Sequence, residues 1–141
     1  MVNVDEVVLP DPRDRTPTIL LVEDEALIRL ALSDYLQECG FTVLDVSNAA
    51  EAVAALQARA FAFDVVLTDV RMPGEMDGFA LARWIRQHRP GLPVLITTGD
   101  RVKAETASEL CDKNPIIEKP HDFRTVLARI RAAVDAGRKA Q

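Results

Sequence analysis

Five short apolar runs alternate along the chain with stretches in which apolar residues recur every three to four positions. The runs are Ile19 to Val22, Phe41 to Val46, Val65 to Leu67, Pro93 to Thr97, and Ile116 to Ile117. Several are β-branched and carry no polar alternation, the pattern of strands covered on both faces of a parallel sheet. The stretches between them predict helices. The first runs over about Glu25 to Cys39, with Leu27, Ile28, Ala31, Tyr35, Leu36 and Cys39 at helical spacing and Gly40 placed for a left-handed stop. The second opens on Asn48-Ala49-Ala50-Glu51, a capping box, and buries Val53 and Leu56. The third covers about Phe79 to His88, turns Phe79, Ala82 and Ile85 inward, leaves Trp84 nearer the surface and stops at Pro90-Gly91. The fourth, about Lys103 to Cys111, has only Ala104, Ala107, Leu110 and Cys111 to bury. The fifth runs from about Phe123 to Val134, with Phe123, Val126, Leu127, Ile130 and Val134 inward, and frays over Asp135 to Gln141.

Five strand–helix repeats in series require right-handed crossovers, which place helices on both faces of one open parallel sheet. The expected architecture is therefore a doubly wound α/β domain over residues 18–135, with a frayed tail over 136–141. Residues 1–17 carry Pro10, Pro12 and Pro17 among alternating charges, a composition suited to a flexible leader. A length of 141 residues fits one domain with a core of its own. The net charge of −5, with Lys and Arg scattered among acids, argues against direct nucleic-acid binding. The acidic N-terminus lacks the basic region of a signal peptide, and no apolar run approaches a membrane span, so a cytoplasmic location with no membrane partner is expected. Cys39 and Cys111 show neither metal-site nor redox spacing and are read as reduced thiols.

In open parallel α/β sheets the site lies beyond the carboxyl ends of the strands. Taken in order, those ends present Glu23-Asp24-Glu25, Asp69, Thr98 and Lys119-Pro120. Carboxylates gathered from two strands repel one another unless a cation lies among them, so the set implies a divalent metal or a lysine partner. Oxygen-only ligands with room for water suit Mg²⁺, and an Asp carboxylate beside Mg²⁺ and a lysine can attack phosphorus to give an acyl phosphate. His88 and His121 stand away from this set and are read as surface or cap residues.

The stretches ILLVEDE, DVVLTDVRMPG followed by MDG, PVLITTGD and IIEKP, in this order, make residues from about Thr18 to Val134 resemble a response-regulator receiver domain of two-component signalling. The resemblance implies a flavodoxin-like (βα)5 fold with strand order 2-1-3-4-5. It also implies Asp69 as phosphoacceptor, Thr98 as phosphoryl-binding hydroxyl and Lys119 as counter-charge, with Glu23, Asp24, Asp69 and the backbone carbonyl of Arg71 around Mg²⁺. The partners implied are a histidine kinase or histidine phosphotransfer protein and a downstream protein target. A phosphorylation-dependent dimer is compatible with the family, and a stand-alone receiver in a phosphorelay is expected, with only self-phosphorylation and self-dephosphorylation chemistry. A receiver cut from a larger regulator, a metal-dependent phosphohydrolase and a phosphorylation-independent interaction module are the alternatives.

Two departures from the family pattern stand out. Gly74-Glu75-Met76-Asp77 precede Gly78, one residue more than usual, and the extra residue is expected to bulge outward near the site. Ile116 occupies the position where receivers commonly carry an aromatic switch residue. Its β-branched side chain has few rotamers, so readout is expected through residues 99–114 instead.

Overall fold

The computed structural model describes residues 16–58, 62–72, 74–98, 116–118 and 122–139. The strands are β1 (Thr18–Val22), β2 (Thr42–Val46), β3 (Val65–Asp69), β4 (Val94–Thr98) and β5 (Ile116–Glu118), and they pair in the order β2-β1-β3-β4-β5. All pairings are parallel. The described helices are α1 (Ala26–Glu38), α2 (Ala49–Gln57), α3 (Gly78–His88) and α4 (Phe123–Lys139). The helix expected over 103–111, with Cys111, lies outside the described residues, as does the segment 99–114 expected to carry the readout.

Alternation along the central strands divides the core into two layers. Ile19 and Leu21 of β1 and Val65 and Leu67 of β3 pack with Leu32 and Leu36 of α1 and Val126, Ile130 and Val134 of α4. Leu20, Val22 and Val66 point the other way, against Ala49, Ala52 and Leu56 of α2 and Leu81 and Ile85 of α3. Each of these central positions is almost fully buried, so a slip of one residue would exchange the two layers. β2 is an edge strand, with Thr42 and Asp45 exposed and the apolar residues between them half-buried. β1 begins at Thr18, and the Pro17 carbonyl just before it accepts from the Thr42 N–H of β2.

Helix ends follow local chemistry. α1 stops at Gly40, whose φ of 99° lies in the left-handed region that glycine enters at little cost. Asn48 caps α2, accepting from the Glu51 N–H at 2.8 Å, but the return bond differs from the expected box: the Glu51 carboxylate reaches the amide and hydroxyl of Ser47. The Ser47 hydroxyl first, then its N–H and more weakly Arg29, hold the Glu51 carboxyl below its ordinary range. Asp77 caps α3 by accepting from the Ala80 N–H, and Asp122 caps α4 by accepting from Thr125.

Two expectations are corrected, part of the α1 face and the end of α4. Leu27 is 84% exposed and Ala31 is exposed, whereas Leu32, Ser33 and Leu36 are buried. The predicted face of α1 holds at Leu36, which is buried, and at Tyr35 and Cys39, which pack against the same layer; it fails at Leu27 and Ala31, whose places are taken by Leu32 and Ser33. Trp84 lies outside the buried set, as its spacing predicts: it is half-buried against the α2–α3 layer and stacks on His88, with ring centroids 4.3 Å apart. α4 does not fray at Asp135 but continues to Lys139, since Ala132, Ala133 and Ala136 favour helix and no proline intervenes. Among the described residues no helix is long and apolar enough to cross a membrane.

Candidate functional site

β1 and β3 are neighbours, paired from Ile19 with Val65 to Val22 with Thr68, so their carboxyl ends open at one edge of the sheet. Asp69 is the last residue of β3 and continues the alternation of Val65 and Leu67; Glu23 follows β1 and continues that of Ile19 and Leu21. The strand period of two therefore brings both acids to the same face. Carboxylate oxygens of Glu23, Asp24 and Asp69 all lie within 4.8 Å of one another. Glu23 is only 3% exposed and Asp69 8% exposed, while Asp24 faces solvent. Two buried acids and one exposed acid, all hard oxygen donors, form a half-shell open on its water side, a donor set that fits Mg²⁺.

The backbone around this half-shell is tied down from several elements. The Glu23 N–H donates to the Val46 carbonyl of β2 at 3.1 Å, and the Glu23 Oε1 accepts from the Glu25 N–H at 3.2 Å. From α1, Arg29 Nη1 donates to the Glu23 carbonyl at 2.9 Å, and Arg29 Nε lies 3.3 Å from Asp45 Oδ2. On the β3 side the Arg71 N–H donates to Asp69 Oδ1 at 3.4 Å, which sets the Arg71 main chain beside the carboxylate. The Gly78 N–H donates to the Val70 carbonyl at 2.8 Å, closing the loop that follows Asp69. A Cβ at Gly78 would stand 2.2 Å from the Asp69 carbonyl oxygen, so only glycine permits this approach without moving the end of β3. Within the loop Glu75 is exposed, while Met76 packs against the α2–α3 layer.

Thr97 is the register partner of Asp69, and Thr98, one residue further along β4, is buried beside this edge. Thr98 pairs with Glu118, the last residue of β5. Lys119, Pro120 and His121 lie outside the described residues. His88 sits on α3, its Nδ1 2.8 Å from the Trp84 carbonyl, away from the acids. Sequence reasoning missed Arg29 and Asp45. Arg29 follows Glu25 by four on a predicted helix and so looks like half of a solvated pair. The available signal was Asp45 itself, a charged residue set in the apolar run Thr42–Val46.

Residues 19–131 match the family described as response regulator receiver domain. The chain is 36% identical over 127 residues to the transcriptional regulatory protein GltR of Pseudomonas aeruginosa, covering 88% of this chain and 50% of that protein. It is 34% identical over 117 residues to the DNA-binding transcriptional regulator NtrC of Escherichia coli, covering 82% of this chain and 24% of that one. The chain thus spans half or less of these curated relatives. Among solved structures, a response regulator receiver protein from Sinorhizobium medicae superposes with a TM-score of 0.77 at 32% identity, covering 86% of this chain and 97% of that chain.

Proposed function

The chain belongs to the response regulator receiver domain family, and from that premise we propose that Asp69 is its phosphoacceptor, served by a Mg²⁺ site of Glu23, Asp24, Asp69 and the Arg71 carbonyl. The observation that carries this reading is the convergence of the three carboxylates within 4.8 Å at the ends of β1 and β3. Bound Mg²⁺ supplies positive charge to the phosphoryl oxygens and to the acids that face them. The remaining work falls to the chain. Asp69 Oδ forms the O–P bond as the P–N bond of a phosphohistidine breaks and the imidazole nitrogen departs with the electron pair. Burial of Asp69 at the end of β3, with the Arg71 N–H on its Oδ1, restricts the nucleophile's direction, so little ordering is left for the moment of transfer. The Thr98 hydroxyl is assigned to a phosphoryl oxygen and Lys119 to the counter-charge, completing a (βα)5 receiver.

The donor is a histidine kinase or a histidine phosphotransfer protein, and the output is a change of shape read by a protein partner in the cytoplasm, with no direct nucleic-acid contact. The names of NtrC and GltR describe those longer proteins. Stand-alone action belongs to the same proposal, and the mass of the endogenous protein checks it. For the chemistry, incubation with Mg²⁺ and acetyl phosphate is expected to add about 80 Da in a base-labile adduct. Chelation of Mg²⁺ is expected to suppress it, and an adduct equally strong in Asp69→Asn would overturn the assignment.

A further inference from the structure

Arg29 is six residues from Glu23 in sequence yet holds its main chain. The guanidinium spends one nitrogen on the Glu23 carbonyl, at 2.9 Å, and another on Asp45 of the edge strand, at 3.3 Å. Only a planar fork with several fixed donors serves both partners at once. The pair is shielded mainly on the arginine side, with the Arg29 side chain 20% exposed and that of Asp45 35% exposed. Glu23 is thereby held on every side that its backbone offers: its N–H by Val46, its carbonyl by Arg29, while its side chain takes the Glu25 N–H. Asp24 stands within this short loop, between the end of β1 at Val22 and the start of α1 at Ala26.

The orientation of Arg29 matters because its charge and its hydrogen bonds act in opposite senses. As a cation bonded to the main chain of Glu23, it opposes electrostatically any divalent ion placed among the nearby acids. As a donor to the Glu23 carbonyl, it keeps Glu23 and Asp24 facing Asp69. We infer that Arg29, steadied by Asp45, is a positioning residue of the acidic site: it clamps the loop of Glu23 and Asp24 in the geometry that receives the cation. The inference rests on the Mg²⁺ reading given above and concerns how that site is preorganised. Partners behind a ligating group commonly change metal affinity by about 10- to 100-fold when removed. Mg²⁺ keeps several waters and relies on few protein ligands, so the lower end applies here.

Mg²⁺ titration followed by amide signals, with Arg29→Met, Arg29→Lys, Asp45→Asn and the double variant Arg29→Met/Asp45→Asn beside the unaltered protein, separates the two senses. Positioning predicts that Arg29→Met weakens Mg²⁺ binding by about tenfold. Lys is expected to restore part of the affinity, and Asp45→Asn to weaken it less and non-additively with Arg29→Met. If charge alone matters, Arg29→Met tightens Mg²⁺ binding and Lys behaves like Arg; that result overturns the inference. Hydrogen exchange of the Glu23 and Glu25 amides in metal-free protein supplies an independent reading. Positioning predicts faster exchange at both in Arg29→Met, with the Leu67 amide unchanged. Unchanged exchange at Glu23 and Glu25 contradicts it, even if the unaltered protein binds no Mg²⁺ and the metal reading itself fails. Should Arg29→Met not fold, Asp45→Asn carries both readouts, with the same signs and smaller size.

Discussion

The central strands β1 and β3 and the edge strand β2 are of equal length and lie side by side, yet they do different work. β1 and β3 are buried almost throughout, and their carboxyl ends present Glu23 and Asp69. β2 exposes Thr42 and Asp45, and its contribution to the site is indirect, through the bond of Val46 to Glu23 and the pairing of Asp45 with Arg29. The difference teaches that the acids stand where the backbone is least free to move. A close-packed interior transmits its rigidity to the last residue of a strand. The edge, where side chains meet water on one side, braces that position from outside.

This contrast can be broken by truncation. Leu67→Ala, in the α1–α4 layer two residues before Asp69, is expected to cost about 2–5 kcal/mol, whereas Thr42→Ala on β2 should stay within about 0.5 kcal/mol. Denaturant unfolding of both variants checks this, and equal losses would mean that the edge carries as much as the centre. Gly78→Ala sharpens the comparison at the exit of β3. Its Cβ would meet the Asp69 carbonyl oxygen at 2.2 Å, so the end of β3 or the start of α3 must shift. A loss of about 1–3 kcal/mol is expected, with perturbed Asp69 and Val70 amides and undisturbed signals from β2. Asp77→Ala, which removes the α3 cap a residue earlier, should cost about 1 kcal/mol and leave β3 in place.

How much of this was legible beforehand depends on what each feature rests on. Strand positions followed from apolar runs, and the convergence of Glu23, Asp24 and Asp69 followed from the rule that sites form at strand ends. The cap by Asn48 and the stop at Gly40 are local chemistry and were readable too. The face of α1 was legible only in its second half, at Tyr35, Leu36 and Cys39; in the first half Leu27, Leu30 and Ala31 make an apolar spacing as regular as the buried one, and only the sheet decides which stripe is covered. Leu30 is accordingly 54% exposed. The role of Arg29 was hidden for a related reason: its partners, a backbone carbonyl just after β1 and an acid in β2, are tertiary, and the one hint was the charge of Asp45 within an apolar run.

The smallest expected effect concerns the turn after β2. The Glu51 carboxyl is held below its ordinary range chiefly by the Ser47 hydroxyl, so its folded pKa lies under its unfolded one. Its stabilising contribution is therefore present above the ordinary glutamate range and is lost as pH falls through the folded value. The stability difference between the protein and Glu51→Gln should be visible near neutrality and fade in acid. A difference that grew on acidification would contradict the assigned bonds.

The most direct test of the account is residue-level location of the phosphoryl group after exposure to acetyl phosphate, with and without Mg²⁺, in the unaltered protein and in Asp24→Ala. The account predicts label on Asp69 alone, lost on chelation and strongly reduced in Asp24→Ala. Label on His88 or Glu23, or label on Asp69 that is indifferent to both Mg²⁺ and Asp24, would contradict it.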